Sequence, residues 1–132
     1  MQFILTIDQN DEHIIIEVPD LSIMSLTDSL EKAVEQIKTT TQHHTGISLE
    51  AIEVDLKKNA LILHEVNAKL TSFVLRKMRD KKGMTMDQIA QALGYAGGGS
   101  IGSYFSPDKP KMPSVSQFTK FTKLLGYHLR PF

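Results

Sequence analysis

Apolar and polar positions alternate over Gln2 to Asp8, where Phe3, Leu5 and Ile7 share a side, and again over His13 to Val18, where Ile14, Ile16 and Val18 do. This period of two predicts the strands of a hairpin, joined by the polar turn Gln9 to Glu12. Pro19 and Asp20 interrupt the second strand, and Ser22 to Leu26 can add a short third. The period then lengthens. Leu30, Ala33, Val34 and Ile37 follow i, i+3, i+4, i+7, which predicts an amphipathic helix capped by Thr27 or Asp28, with Asp28 and Glu31 near the positive end of its dipole. After Thr45-Gly46 the alternation returns in Ile52, Val54 and Leu56, and Lys57-Lys58-Asn59 turns the chain into Ala60 to Val66. At least one strand lies here, and a second hairpin is the further reading.

From Ala68 on, the pattern is helical. Leu70, Val74 and Met78, with Phe73 beside them, predict a helix over Ala68 to Lys82 that ends at Gly83. Thr85 and Gln88 have the spacing of a capping box, so a second helix starts there, with Ile89, Ala90 and Leu93 as its apolar stripe and Gly94 as its stop. A third, short helix is expected from about Ser100 to Phe105, with Ile101, Tyr104 and Phe105 buried or half-buried. Pro113 and Ser114 open a last helix. Ser114 and Gln117 repeat the capping-box spacing, Val115, Phe118, Phe121, Leu124 and Leu125 form the apolar face, and Gly126 stops it. The aromatic residues Phe118, Phe121, Tyr127 and Phe132 are read as core and dimer contact, and Leu129 to Phe132 as a tether to a neighbour. The fold class is therefore α+β, a small β-hairpin and helix domain over residues 1–66 followed by an all-α domain over residues 67–132.

Charge sharpens that division. The 132 residues are neutral overall, yet residues 1–66 hold 12 Asp or Glu against 4 Lys, a net −8, and residues 67–132 hold 11 Lys or Arg against 3 Asp, a net +8. A basic half suits phosphate, and an acidic half suits a basic protein partner. The competing reading is that the halves attract each other or solubilise themselves. There is no cysteine, which removes disulfides, thiolate zinc sites and thiol nucleophiles and fits a reducing cytoplasm. No apolar run approaches the length of a membrane span, and the chain starts on strand-like sequence, so a cytoplasmic protein with no membrane partner is expected.

Met84 to Phe105, MTMDQIAQALGYAGGGSIGSYF, with a helix on either side, resembles the helix-turn-helix of the Xre/Cro-like DNA-binding domain. The wording is closest to antidote members of that group, in which a short third helix ends in a Ser-Pro-Asp turn, here SPDKPKMPS at Ser106 to Ser114, followed by the final helix and LGYHL at Leu125 to Leu129. Residues 1–66 resemble HicB-type antitoxins in IIIEVPDL at Ile14 to Leu21 and TDSLEKAVEQIK at Thr27 to Lys38. The two resemblances imply an operator-binding domain and a toxin-binding domain in the order such antitoxins carry them.

The candidate DNA contacts are Thr85, Gln88, Gly98, Gly99, Ser100, Ser103 and Tyr104 around the turn and the short helix, with phosphate contacts from Lys81, Lys82, Lys109 and Lys111. Lys120, Arg76, Lys77 and Arg79 join them if their faces are free. The short helix has no Arg, Lys, Asn or Gln, the usual bidentate readers of bases, so specificity would lean on shape or dimerisation. Gly97, Gly98 and Gly99 lengthen the turn by about one residue relative to the usual pattern and could bring backbone N–H groups to phosphate. The candidate partner-binding residues are Asp8, Asp11, Glu12, Glu17 and Asp20. His43 and His44, with His13, His64 and His128, lack the spacing of a metal site. No Gly-x-Ser-x-Gly turn, Gly-rich phosphate loop after a strand or paired carboxylate motif is read as placing Ser, His and Asp together, so no enzyme, metal or cofactor is expected. Together these features read as a homodimeric repressor and antitoxin binding operator DNA and a basic RNase-type toxin. A stand-alone regulator, or an interaction module that has lost DNA binding, is the alternative.

Overall fold

A computed structural model describes residues 1–126, so the expectations for Tyr127, His128 and Leu129 to Phe132 lie outside the described residues. The chain divides into two compact units, one spanning Met1–Val66 and a second beginning at Asn67. Among the described residues there are six strands in two three-stranded antiparallel sheets, and four α-helices. The architecture is mixed α+β.

In the first unit the run Gln2 to Gln9 is two strands, β1 (Gln2–Ile4) and β2 (Thr6–Gln9), in place of the single strand that its alternation suggests. Partners divide it. β2 pairs with β3 (Ile14–Val18), whereas β1 pairs with β6 (Ala60–Leu63), Gln2 opposite Ile62. At the break the Leu5 N–H donates to the Asn59 carbonyl at 2.9 Å. Phe3 and Leu5 are buried, but Ile7, of the same parity, is left 37% exposed. The Pro19–Leu21 turn leads through left-handed Ser22 into β4 (Ile23–Thr27), which completes the order β2-β3-β4. The second hairpin also forms, β5 (Ile52–Asp55) and β6, turned by left-handed Asn59, giving the order β1-β6-β5.

Helix α1 (Leu30–Thr45) packs on β3, β4 and β5. Its cap is Ser29 and not Thr27 or Asp28, because those side chains have other partners: the Thr27 hydroxyl donates to the Ser29 carbonyl at 2.7 Å and Asp28 pairs with Lys32 at 3.1 Å. The buried stripe runs through Ala33, Ile37, Thr41 and Thr45, so two threonines enter the core. Each returns its hydroxyl proton to a carbonyl one turn back, Ile37 and Thr41 respectively, both at 2.7 Å, which removes the cost of a buried unpaired hydroxyl.

The second unit begins with α2 (Ala68–Lys82), capped by Asn67, whose side-chain oxygen accepts the Leu70 N–H at 2.7 Å. Helix α3 (Met86–Ala92) comes next and then, after the glycine-rich segment and the Ser-Pro-Asp turn, α4 (Val115–Leu124). Phe121 is the centre of the core here. Its ring lies 5.4 Å from Phe105, 5.8 Å from Tyr104 and 6.2 Å from Tyr95, centroid to centroid, within the range of favourable aromatic pairs. The α4 stripe is Phe118, Phe121, Thr122 and Leu125. Val115, expected on that face, is 68% exposed, since it opens the first turn beside the cap while Pro113 takes the buried place before it.

Candidate nucleic-acid interface

Two capping boxes position this region. The Thr85 hydroxyl oxygen accepts the Gln88 N–H at 3.1 Å and Gln88 returns its side-chain oxygen to the Thr85 N–H at 2.8 Å; Ser114 and Gln117 repeat the pair at 3.1 and 3.0 Å. Thr85 and Gln88 are thus exposed residues that already hold each other. Helix α3 ends in a Schellman pattern, with Tyr95 N–H to Ala90 carbonyl at 2.8 Å and Gly94 N–H to Gln91 carbonyl at 3.3 Å, around Gly94 at φ +80°.

Beyond Gly94, the single short α-helix expected from Ser100 to Phe105 is replaced by two 3-10 turns, Gly98–Ser100 and Gly102–Phe105, joined at Ile101. Four glycines in the six residues 97–102 make a continuous α-helix costly in backbone entropy, and tertiary contacts hold the tighter turns instead. The strongest is a clamp. The Asp87 carboxylate, in the first turn of α3, accepts the Gly98 N–H at 2.8 Å, and a Cβ on Gly98 would lie 2.7 Å from that oxygen and 3.0 Å from the Met86 Cβ. Gly98 is therefore buried with its N–H engaged. Gly99 stays exposed, and Ser100, also exposed, ties its hydroxyl to the Gly97 carbonyl at 2.6 Å. Residues 98–102 do spell Gly-x-Ser-x-Gly, which the sequence reading passed over, but they lie within the two 3-10 turns, where a nucleophile elbow needs a strand before the Ser and a helix after it.

Ser103 is exposed, and its carbonyl accepts the Lys111 N–H at 2.9 Å, which brings these two candidates together. Tyr104 is buried at 7% exposure and its hydroxyl accepts from the Gln117 side chain at 3.1 Å, while the Lys111 ammonium sits 5.6 Å from the ring centre. Lys109 is exposed beside Ser106, whose hydroxyl oxygen accepts its N–H at 3.3 Å. Lys81 and Lys82 occupy the exposed last turn of α2, where cations also complement the helix dipole. Arg76 and Lys77 instead lie half-buried against the Phe73 ring, at 5.9 and 5.5 Å, and Arg79 is half-buried, 3.6 Å from Asp80. Burial lowers the pKa of Arg76, with Asp80 opposing, but a guanidinium remains charged at neutral pH.

In the first unit Asp8 and Glu17 project from the outer face of the sheet beside Thr6 and Ile15, with which they share a register, and Asp11 and Glu12 are exposed in the turn. Asn10 shapes that turn by accepting the N–H groups of Glu12 and His13 at 2.9 and 2.8 Å. Asp20 is half-buried in the Pro19–Leu21 turn. Among the described residues no three metal-ligating side chains converge, and no helix is long and apolar enough to cross a membrane.

The residues that sequence reasoning missed are those that act across the fold. Asp87 to Gly98, Gln117 to Tyr104, and Ser72, whose hydroxyl donates to the Ser106 carbonyl at 2.6 Å, bind the segment to α2, α3 and α4. Asp87, as an acid in a first turn, and Gln117, in its capping box, had a local signal, but neither signal pointed to the partner across the fold. Compared with known proteins, the chain matches no family model and no curated protein.

Proposed function

We propose that the protein is a DNA-binding antitoxin in which the unit from Asn67 binds an operator as a homodimer and represses its own operon, while the unit ending at Val66 neutralises a basic RNase-type toxin. The observation that carries this reading is the coincidence of charge with structure: the boundary between the net −8 and net +8 halves is the boundary between the two compact units. Lys81, Lys82, Lys109 and Lys111 supply phosphate contacts, and the exposed Gly99, Ser100 and Ser103 approach the groove, consistent with the Xre-like succession of capped helices and turn. Asp8, Asp11, Glu12, Glu17 and Asp20 present the acidic surface to the toxin.

The segment between α3 and α4 also favours a second reading. Its exposed side chains are uncharged from Gly97 to Ser106, and Tyr104 faces the core, as expected of an interaction module that has lost DNA binding. Fluorescence anisotropy with the DNA upstream of the gene and with scrambled DNA, at two salt concentrations, separates the readings. Tighter binding to the upstream DNA that weakens with salt supports the repressor, and Lys109→Ala or Lys111→Ala should each reduce the log–log salt slope by about 1. Equal, weak binding to both DNAs rejects it in favour of the interaction module.

A further inference from the structure

Strand β4 is an outer strand of the β2-β3-β4 sheet, and among the described residues it pairs only with β3, in five consecutive antiparallel pairs without a bulge. Its sequence, Ile23-Met24-Ser25-Leu26-Thr27, has no charge, proline or glycine, and its outward side chains Met24 and Leu26 are 62% and 54% exposed. Edge strands of monomeric proteins are usually blunted by a charged side chain, a proline, a bulge or a covering segment. The other edges of this unit follow that rule or are very short. β2 carries Asp8 and runs into Asp11 and Glu12, β5 carries Glu53 and Asp55, and β1 has three residues.

We propose that β4 pairs antiparallel with β4 of a second copy, about a two-fold axis through Ser25, joining two three-stranded sheets into one of six strands. The sequence is complementary to itself in that register: Met24 falls opposite Leu26 of the second copy and Ile23 opposite Thr27, so that two methionines and two leucines close into one apolar cluster on the outer face. The distribution of charge selects a second copy over a basic protein. The outward acids nearest to β4 are Asp28, which follows Thr27 and is already paired with Lys32 at 3.1 Å, and Glu17, opposite Met24 on β3. At roughly 4.8 Å per strand, with an offset of two residues along the strands, Glu17 and its symmetry mate would stand about 16 Å apart, beyond a Debye length of about 8 Å at physiological salt. A basic partner would find its complement at the other edge, near Asp8, Asp11 and Glu12. Helix α1 already covers the inner face, where the Ser25 hydroxyl donates to the Ala33 carbonyl at 3.2 Å, so pairing adds contacts along the edge and outer face. This inference stands on the strand edge and is independent of DNA binding.

The test is sedimentation equilibrium of the full chain without DNA. A dimer is expected, and Met24→Lys with Leu26→Lys should raise its dissociation constant roughly tenfold or more, because like charges are brought face to face; Thr6→Lys, at the opposite edge, should leave it unchanged. Since the chain has no cysteine, Met24→Cys with Leu26→Cys gives a second readout that does not rely on the lysine variant folding. Mild oxidation should yield a covalent dimer, and the same pair placed at Thr6 and Asp8 should not. A monomeric wild-type chain, a dissociation constant unmoved by the lysines in a folded variant, or no cross-link at β4 would each overturn the proposal.

Discussion

Each α-helix of the unit from Asn67 carries its own start signal, an Asn67, Thr85 or Ser114 cap, and is followed by a left-handed glycine, Gly83, Gly94 or Gly126. In the unit ending at Val66, by contrast, β1 has no partner until β6 arrives late in the chain and sets Phe3 opposite Leu61. The helical unit is written in short-range code, and the sheet unit in long-range pairing. The difference predicts where a single substitution acts: at one helix end in the second unit, and across distant strands in the first.

The largest effect expected is from Phe3→Ala. Phe3 is buried on β1, and its truncation should cost about 3–5 kcal/mol in chemical denaturation, with amide exchange rising in β6 as well as β1. Faster exchange confined to β1 would break the comparison, since it would make that strand a local element. Next is Gly98→Ala, which drives a Cβ against Asp87 and Met86 and should cost about 1–3 kcal/mol. Adding Asp87→Ala should recover part of that loss, and a double-mutant cycle with no coupling would show that the clamp does not hold the segment. This position tests the exception in the second unit, the stretch that is not locally encoded.

Smaller again are the caps. Thr85→Ala and Ser114→Ala should each cost about 1 kcal/mol, with faster exchange limited to the first turn of α3 or α4. Spread of the change to the neighbouring helix would blur the distinction between the units. The smallest effect belongs to Asp28, fully exposed, whose pKa is lowered by its hydrogen bond and charge interaction with Lys32. A carboxylate whose folded pKa is depressed adds stability above its ordinary value near 3.8, and that stability is lost as pH falls through the lower folded value. Asp28→Asn should therefore remove that small contribution above the ordinary value and flatten stability against pH on the acid side, so that variant and wild type converge in acid, as read by thermal melts at neutral and at acid pH.

The sequence by itself determined the α2 span Ala68–Lys82 and both capping boxes, because each depends on residues close together in the chain; it also determined the charge boundary at Val66, a matter of composition, and offered the second hairpin as a further reading. Hydrophobic periodicity also located most of the core, including Ile16, Ile37, Val74, Met78 and Phe121. Tertiary structure decided the rest. It broke the first alternating run at Leu5 because two strands remote from each other compete for its halves, and it moved the α1 cap to Ser29 because Thr27 and Asp28 found other partners. In the candidate interface it converted the expected recognition helix into 3-10 turns held by Asp87, Gln117 and Ser72, and turned Tyr104 inward. Those contacts join residues 11 to 34 positions apart, so no pattern of neighbours along the chain could express them.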